Sequence, residues 1–149
     1  AQIRQGLSQC RWAGRLETVS VKPLVVLDGA HNRESARALA QSLRKLYSCA
    51  GKVLVLGISA DKDAAAICRA LLPVFDHAVI TCADHPRALC ADALYTVAKK
   101  YWKPGQGSVI AVASLPEALA QARRICGRRD MIVVCGSLFL VAQARGLFR

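Results

Sequence analysis

Two stretches decide the fold: Leu24-Val-Val-Leu-Asp-Gly-Ala-His-Asn32 and, near the other end of the chain, Met131-Ile-Val-Val-Cys-Gly-Ser-Leu-Phe-Leu-Val141. Each is a short run of β-branched and other apolar residues that breaks abruptly into small and polar ones. A run with no polar alternation fits a strand covered on both faces, which is the situation of a parallel sheet between helical layers. The small residues that follow let the backbone turn sharply. Asn32 and Ser137 then stand where a helix would need a side chain to accept its first free amides.

The same signal recurs at 53–56, 78–81 and 109–112, so with 24–27 and 131–135 there are five candidate strands of this kind. Between them run amphipathic stretches at 34–47, 64–72, 87–101, 116–126 and 138–147. Strand and helix in alternation predict an α/β architecture with a parallel sheet. An earlier segment, 16–21, alternates in polarity and is joined to the next strand by Lys22-Pro23 alone. That link is too short for a parallel crossover, so the segment is expected antiparallel at an edge. The expectation is a Rossmann-like, three-layer α/β domain with a mostly parallel six-stranded sheet and one antiparallel edge strand. Ser114-Leu-Pro-Glu117 reads as a capping box and Gly127 as a helix C-terminal stop. Asp61 or Asp63 would cap the second helix.

Composition agrees with one globular unit. The chain has 149 residues, 54% hydrophobic and 21% charged, with a mean hydropathy of +0.28, which excludes disorder. No apolar run approaches the roughly 20 residues of a membrane helix, and the first residues lack a signal-peptide core. The seven cysteines, Cys10, Cys49, Cys68, Cys82, Cys90, Cys126 and Cys135, form no C-x-x-C pair and no zinc-ligand spacing. Most of them read as small buried apolar residues in a reducing, cytoplasmic setting.

Twenty-one Lys and Arg against 10 Asp and Glu leave a formal charge of +11, so an anionic partner is expected. Nucleic acid is disfavoured: aromatic residues are 5% of the chain. The basic clusters, Lys99-Lys-Tyr-Trp-Lys103 and Arg123-Arg-Ile-Cys-Gly-Arg-Arg129, fall at helix ends, where cations suit the dipole.

Ligands of open α/β sheets gather beyond the carboxyl ends of the strands. That narrows the candidates to Asp28-Gly-Ala-His-Asn32, Gly57-Ile-Ser-Ala-Asp-Lys-Asp63, Asp84-His-Pro-Arg87 and Gly136-Ser137. Asp28 to Asn32 could hold sugar hydroxyls or an amino acid, or could only cap a helix. Ser137 could receive a carboxylate or phosphate at a helix start, or serve as an N-cap alone. Asp61-Lys62-Asp63 fits a metal or nucleotide contact, or simple capping. No G-x-G-x-x-G follows a strand, and neither G-x-x-x-x-G-K-[ST] nor G-x-S-x-G occurs, so a self-sufficient ATP-using enzyme is not expected.

Five motifs in register, Trp12-Ala-Gly-Arg-Leu-Glu17, Leu27-Asp-Gly-Ala-His-Asn32, Gly57-Ile-Ser-Ala-Asp-Lys-Asp63, Pro86-Arg-Ala-Leu89 and Gly136-Ser-Leu-Phe-Leu-Val141, resemble the C-terminal domain of folylpolyglutamate synthase and dihydrofolate synthase. That domain belongs to the Mur ligase superfamily. The muramyl ligases usually read Asp-Asp-Tyr-Ala-His where this chain has Asp-Gly-Ala-His-Asn. Ala13 and Arg33 depart from the pattern, which commonly has Pro at both places. The resemblance implies ATP-dependent ligation of L-glutamate to a folate, or to dihydropteroate, through an acyl phosphate. By the same resemblance Arg15 and Asp28 bind ATP, His31 and Ser137 hold the glutamate substrate, and Asn32 and Lys62 are ligand or interdomain contacts. No metal ligand is expected here. Mg2+ ligands, the phosphate loop and much of the folate site would belong to a preceding ATP-binding domain. The chain is accordingly expected to be a single C-terminal ligase domain at 1–149, inactive alone, with 1–11 the tail of an interdomain linker and Ala1 a cut end. The alternatives are a stand-alone Rossmann-like module for a nucleotide or amino acid and a muramyl-ligase C-terminal domain. Which of the two folate activities the parent performs is left open, because the discriminating contacts would lie upstream.

Overall fold

The apolar runs become strands, and the computed structural model describes them within residues 12–48 and 51–148. The expected linker tail at 1–11, Cys10 and Cys49 lie outside the described residues. The elements are β1 (Glu17–Val21), β2 (Leu24–Leu27), α1 (Arg33–Leu46), β3 (Lys52–Leu56), α2 (Ala64–Leu71), β4 (His77–Ile80), α3 (Ala91–Lys99), β5 (Val109–Ala111), α4 (Leu115–Ile125), β6 (Met131–Cys135) and α5 (Leu138–Gly146). A single 3₁₀ turn, Leu72–Val74, follows α2.

The six strands form one sheet in the order β1-β2-β6-β3-β4-β5. Only β1 runs antiparallel, as the Lys22-Pro23 link requires; β2, β6, β3, β4 and β5 are parallel. The sheet is therefore α/β and mostly parallel, with one antiparallel edge pair.

Strand side chains alternate between two cores, as a period of two demands. Val26, Leu54, Leu56, Ile80, Met131 and Val133 pack with α1, α2 and α3. Val25, Leu27, Val53, Val55, Val79, Ile132 and Val134 pack with α4 and α5. The last strand in sequence, β6, lies between β2 and β3, and all five of its residues are buried. Each large side chain buried in this way contributes about 1.5–3 kcal/mol relative to exposure.

Local punctuation departs from expectation in three places. Ser114 is the N-cap of α4 but its side chain makes no capping bond; Pro116 has removed one of the amides such a cap would serve. A capping box forms instead at α1, where Asn32 Oδ1 accepts from Ser35 N at 2.8 Å and Ser35 Oγ accepts from Asn32 N at 3.1 Å. Gly127 is not a left-handed stop. Its N–H donates to the Asp130 carboxylate at 2.8 Å, which ties the turn from the side. Finally, α3 starts at Ala91 rather than near Arg87. Ala60 N donates to Arg87 O at 2.8 Å and Leu89 N to Ile58 O at 2.9 Å, so the segment before Ala91 is bonded to the exit of β3 and cannot wind into the helix.

Candidate functional site

Because β2 and β6 are parallel neighbours, the loops that leave their carboxyl ends meet. Gly136 N donates to Ala30 O at 2.9 Å, and Asp28 N donates to Val134 O at 3.0 Å. Close approach here demands glycine: Gly136 has φ +106°, and a Cβ on it would stand 2.6 Å from Gly57 O. The exits of β2, β6 and β3 are thus drawn together at one rim.

Asp28, only 7% exposed, has a structural duty. Its Oδ1 accepts from Ala30 N and its Oδ2 from Leu16 N, both at 2.9 Å. Leu16 carries φ +45°, a left-handed conformation uncommon for leucine, and the carboxylate holds it there. A carboxylate has about four acceptor positions, so two remain for hydroxyl donors. The loop that carries Arg15 is tied to the same place, since Gly29 N donates to Gly14 O at 2.6 Å. Arg15 itself is exposed and lines a cleft of about 630 Å³ with Trp12, Leu16, Glu17 and Arg145.

His31 is half-buried, and its Nδ1 lies 2.7 Å from Gly29 O. A carbonyl only accepts, so Nδ1 carries the hydrogen and, in the neutral ring, Nε2 is left as an acceptor. Asn32 uses its Oδ1 to cap α1, so only its amide nitrogen is left for a ligand. Ser137, 3% exposed, accepts from Phe139 N at 3.2 Å as the N-cap of α5. Its hydroxyl therefore caps and also stands at a helix start, where the dipole favours anions. Lys62 is bonded to Asp61 at 2.7 Å on the surface, and that ammonium holds the Asp61 carboxyl below its ordinary range. It is Asp63 that caps α2, accepting from Ala66 N at 2.9 Å.

Arg15, Asp28, His31, Asn32 and Ser137 therefore all stand at the carboxyl rim, while Lys62 lies on the neighbouring loop from β3. Three contributors lie within stretches quoted above but are not singled out there as site residues. Ser59 is 8% exposed and places its Oγ 3.5 Å from Ser137 Oγ, a long contact for two hydroxyls. Glu17 accepts from Gly14 N at 2.7 Å and from Arg145 Nε at 2.9 Å, linking the Arg15 loop to α5. His85 stacks on Phe139 with centroids 3.6 Å apart, and the Arg87 guanidinium lies over the same ring at 5.2 Å. Their signal was the strand-end position alone. A second hollow, of about 660 Å³, opens between the exits of β4 and β5, lined by Cys82, Ala83, Asp84, Ala113, Leu115 and Leu147; of the candidate stretches only Asp84 borders it.

Among the described residues no group of three His, Cys, Asp or Glu could hold a metal ion. Nor is any helix among them long and apolar enough to cross a membrane.

Comparison with known proteins agrees with the motifs. The model of the family described as Mur ligase, glutamate ligase domain, matches residues 14–138. A probable bifunctional folylpolyglutamate synthase/dihydropteroate synthase of Halobacterium salinarum is 38% identical over 96% of this chain and 17% of its own length. The crystal structure of Mycobacterium tuberculosis folylpolyglutamate synthase complexed with ADP and AMPPCP superposes with a TM-score of 0.90 at 35% identity, over 98% of this chain and 34% of that one. A bifunctional folylpolyglutamate synthase/dihydrofolate synthase with Mn, AMPPNP and L-glutamate bound gives a TM-score of 0.80 at 29% identity, over 97% of this chain and 34% of that one. The chain thus spans about a third or less of the length of these relatives.

Proposed function

This chain belongs to the Mur ligase glutamate ligase domain family, and we propose that it is the C-terminal domain of an ATP-dependent folate ligase that adds L-glutamate to folates, to dihydropteroate, or to both. The observation that carries the proposal is the Gly136 N to Ala30 O bond of 2.9 Å. It brings the loop of Asp28 and His31 against the helix start of Ser137.

Each group suits its part. Arg15 offers a permanent cation with several donors to the phosphates of ATP. Asp28 has acceptor positions left for ribose hydroxyls. Ser137, at the start of α5, suits the carboxylate of L-glutamate. With its Nδ1 bonded to the Gly29 carbonyl, His31 has Nε2 left for the amino group of L-glutamate, which holds that group toward its target. In such a ligation the γ-phosphoryl of ATP passes to a carboxylate oxygen of the folate, releasing ADP. The glutamate ammonium first gives up a proton; its nitrogen lone pair then bonds to that carbonyl carbon, inorganic phosphate departs, and the nitrogen loses a second proton to leave the amide. On this reading Mg2+ and the phosphate loop belong to a preceding domain of the same polypeptide, and this chain alone is inactive. On this reading the protein works in the cytoplasm; the thiols of Cys68, Cys82, Cys90 and Cys135 are not in disulfides, as a reducing compartment keeps them.

Translating the coding region upstream of residue 1 should reveal a G-x-x-x-x-G-K-[ST] loop in a preceding α/β domain. The full-length protein should then release ADP only when folate or dihydropteroate and L-glutamate are both present. Ser137→Ala in it should raise KM for L-glutamate about tenfold or more, the equivalent of about 1.4 kcal/mol, and leave KM for ATP unchanged. A start codon immediately upstream, or ADP release indifferent to glutamate, would sink the proposal.

A further inference from the structure

The start of α1 and one flank of α2, from its N-cap to its last turn, enclose a cleft of about 170 Å³ that none of the motifs explains. Three of its lining residues are arginines: Arg33 and Arg37, one turn apart on α1, and Arg69 on α2. Ala66 and Ala70 form part of the wall, and their small side chains leave the space between the helices open. The fourth charged member, Asp63, has its Oδ1 committed to the Ala66 amide as the N-cap of α2. Cations therefore outnumber anions three to one around the opening.

The Asp63 carboxylate acts on Arg69 through space but makes no ion pair with it. The ion pairs among the described residues are Lys62 with Asp61 and Arg145 with Glu17, and none of the three arginines takes part. Arg69 is held in place by neutral partners: its Nη2 donates to Tyr101 Oη at 3.3 Å, and its guanidinium lies 5.3 Å from the centre of that ring. A guanidinium positioned without a carboxylate partner keeps donors for an incoming anion. The positive end of the α1 dipole adds to the field at Arg33.

Size selects the ligand further. Pockets for whole drug-sized molecules run from about 300 Å³ upward, and one water takes about 30 Å³ of liquid. A cleft of about 170 Å³ takes a carboxylate-bearing group and not a nucleotide. Place selects it too: Arg33 follows Asn32 directly, so the cleft opens beside the loop of His31.

We propose that this cleft between α1 and α2 binds carboxylates of a γ-linked oligoglutamate tail, with Arg33, Arg37 and Arg69 as its donors. Each γ-linked residue leaves its α-carboxylate free, so the anionic charge of such a chain grows with every addition. Three arginines along a short groove match that repeat. The cleft follows from the geometry alone, whereas the identity of its ligand rests on the ligase reading.

The test is a titration of the isotope-labelled 149-residue chain, followed by amide chemical shifts, with L-glutamate, penta-γ-L-glutamate and pyrophosphate in turn. Penta-γ-L-glutamate should move amides of residues 33–37 and 63–70 and bind at least about tenfold more tightly than L-glutamate at that place. The double variant Arg33→Gln/Arg37→Gln should lose at least about tenfold of that affinity. The double variant Arg128→Gln/Arg129→Gln, which removes the same charge from a turn at the opposite edge of the sheet, should change it less than about threefold. The side chains substituted are exposed, and a preserved spectrum confirms that each variant is folded.

Equal losses in the two double variants would reduce the effect to diffuse attraction and overturn the proposal. Tighter binding of pyrophosphate in the cleft would make it a phosphate site, and an absence of shifts at 33–37 and 63–70 would leave it without a ligand of this class; either result rejects the proposal. The full-length assay fails or succeeds separately. Glutamate-dependent ADP release without tail binding rejects the cleft and keeps the ligase, while tail binding without that activity does the reverse.

Discussion

At the scale of the residue, burial without partners has measurable effects. Thr81 is fully buried at the end of β4, and its Oγ1 has no hydrogen-bond partner. A buried hydroxyl in that state costs about 1–3 kcal/mol. Thr81→Val, which keeps the shape and removes the polar atom, should therefore raise stability by about 1 kcal/mol, read as a higher urea midpoint with an unchanged slope. A lower midpoint would mean that the hydroxyl has a partner after all. Burial also raises the thiols of Cys68, to about 12, and Cys135, so they are protonated at neutral pH and shielded from reagents. Exposed Cys90 should react with iodoacetamide in the native protein, whereas Cys68 and Cys135 should react only after denaturation, as mass spectrometry of the digest would show. Residues of this kind are poorly legible in sequence. Asp28 and Ser137 stood out because each ends an apolar run. The second duty of Asp28, holding Leu16 in a left-handed conformation, depends on a contact between positions twelve apart that no local pattern encodes.

At the scale of the element, Glu17 joins two pieces of backbone that the sequence separates widely. One oxygen accepts from Gly14 N and the other from Arg145 Nε, so the loop of Arg15 is braced against the last helix. Glu17→Ala should free the Gly14 amide and speed its hydrogen exchange about tenfold, with a stability loss of about 1 kcal/mol once solvent screening of this half-buried pair is considered. Unchanged exchange at Gly14 would show that the Gly29 N to Gly14 O bond alone fixes the loop. Element identity was largely legible: β2 and β6 have the bounds expected, because an apolar run flanked by a turn and a helix cap leaves little ambiguity. The start of α3 was not. Pro86-Arg-Ala-Leu89 has residues that could wind into a helix, and only the tertiary bonds to Ile58 and Ala60 prevent it. The missing capping box at Ser114 and the absence of a left-handed stop at Gly127 have the same origin, in that a nearby Pro116 or Asp130 changes what the backbone needs.

At the scale of the whole molecule, the order of the strands is what brings the site together, and it is the least legible feature. Sequence periodicity announces six strands but not that the last of them lies between the second and the third. With β6 at the centre, the sheet cannot be completed until the end of the chain is available, which places long-range pairing late in folding. A truncation after residue 130 would leave β2 and β3 with no strand between them and expose both cores. It should show no cooperative thermal transition and the narrow amide dispersion of an unfolded chain. A cooperative melt in that fragment would mean that the remaining strands can pair among themselves.

The candidate groups stand where the strands end, whereas the turns where β4, β5 and β6 begin are tied by their own bonds, from Asp76 to Lys52 N, from Gln106 to Leu72 O and Phe75 O, and from Asp130 to Gly127 N. On the proposed reading one rim does the recognising and the other only closes the frame. The frame side is a natural handle: a fluorophore, a surface anchor or a grafted loop placed at 127–130 would sit across the full length of the strands from the ligands, and could be exchanged freely while the recognising rim went on working.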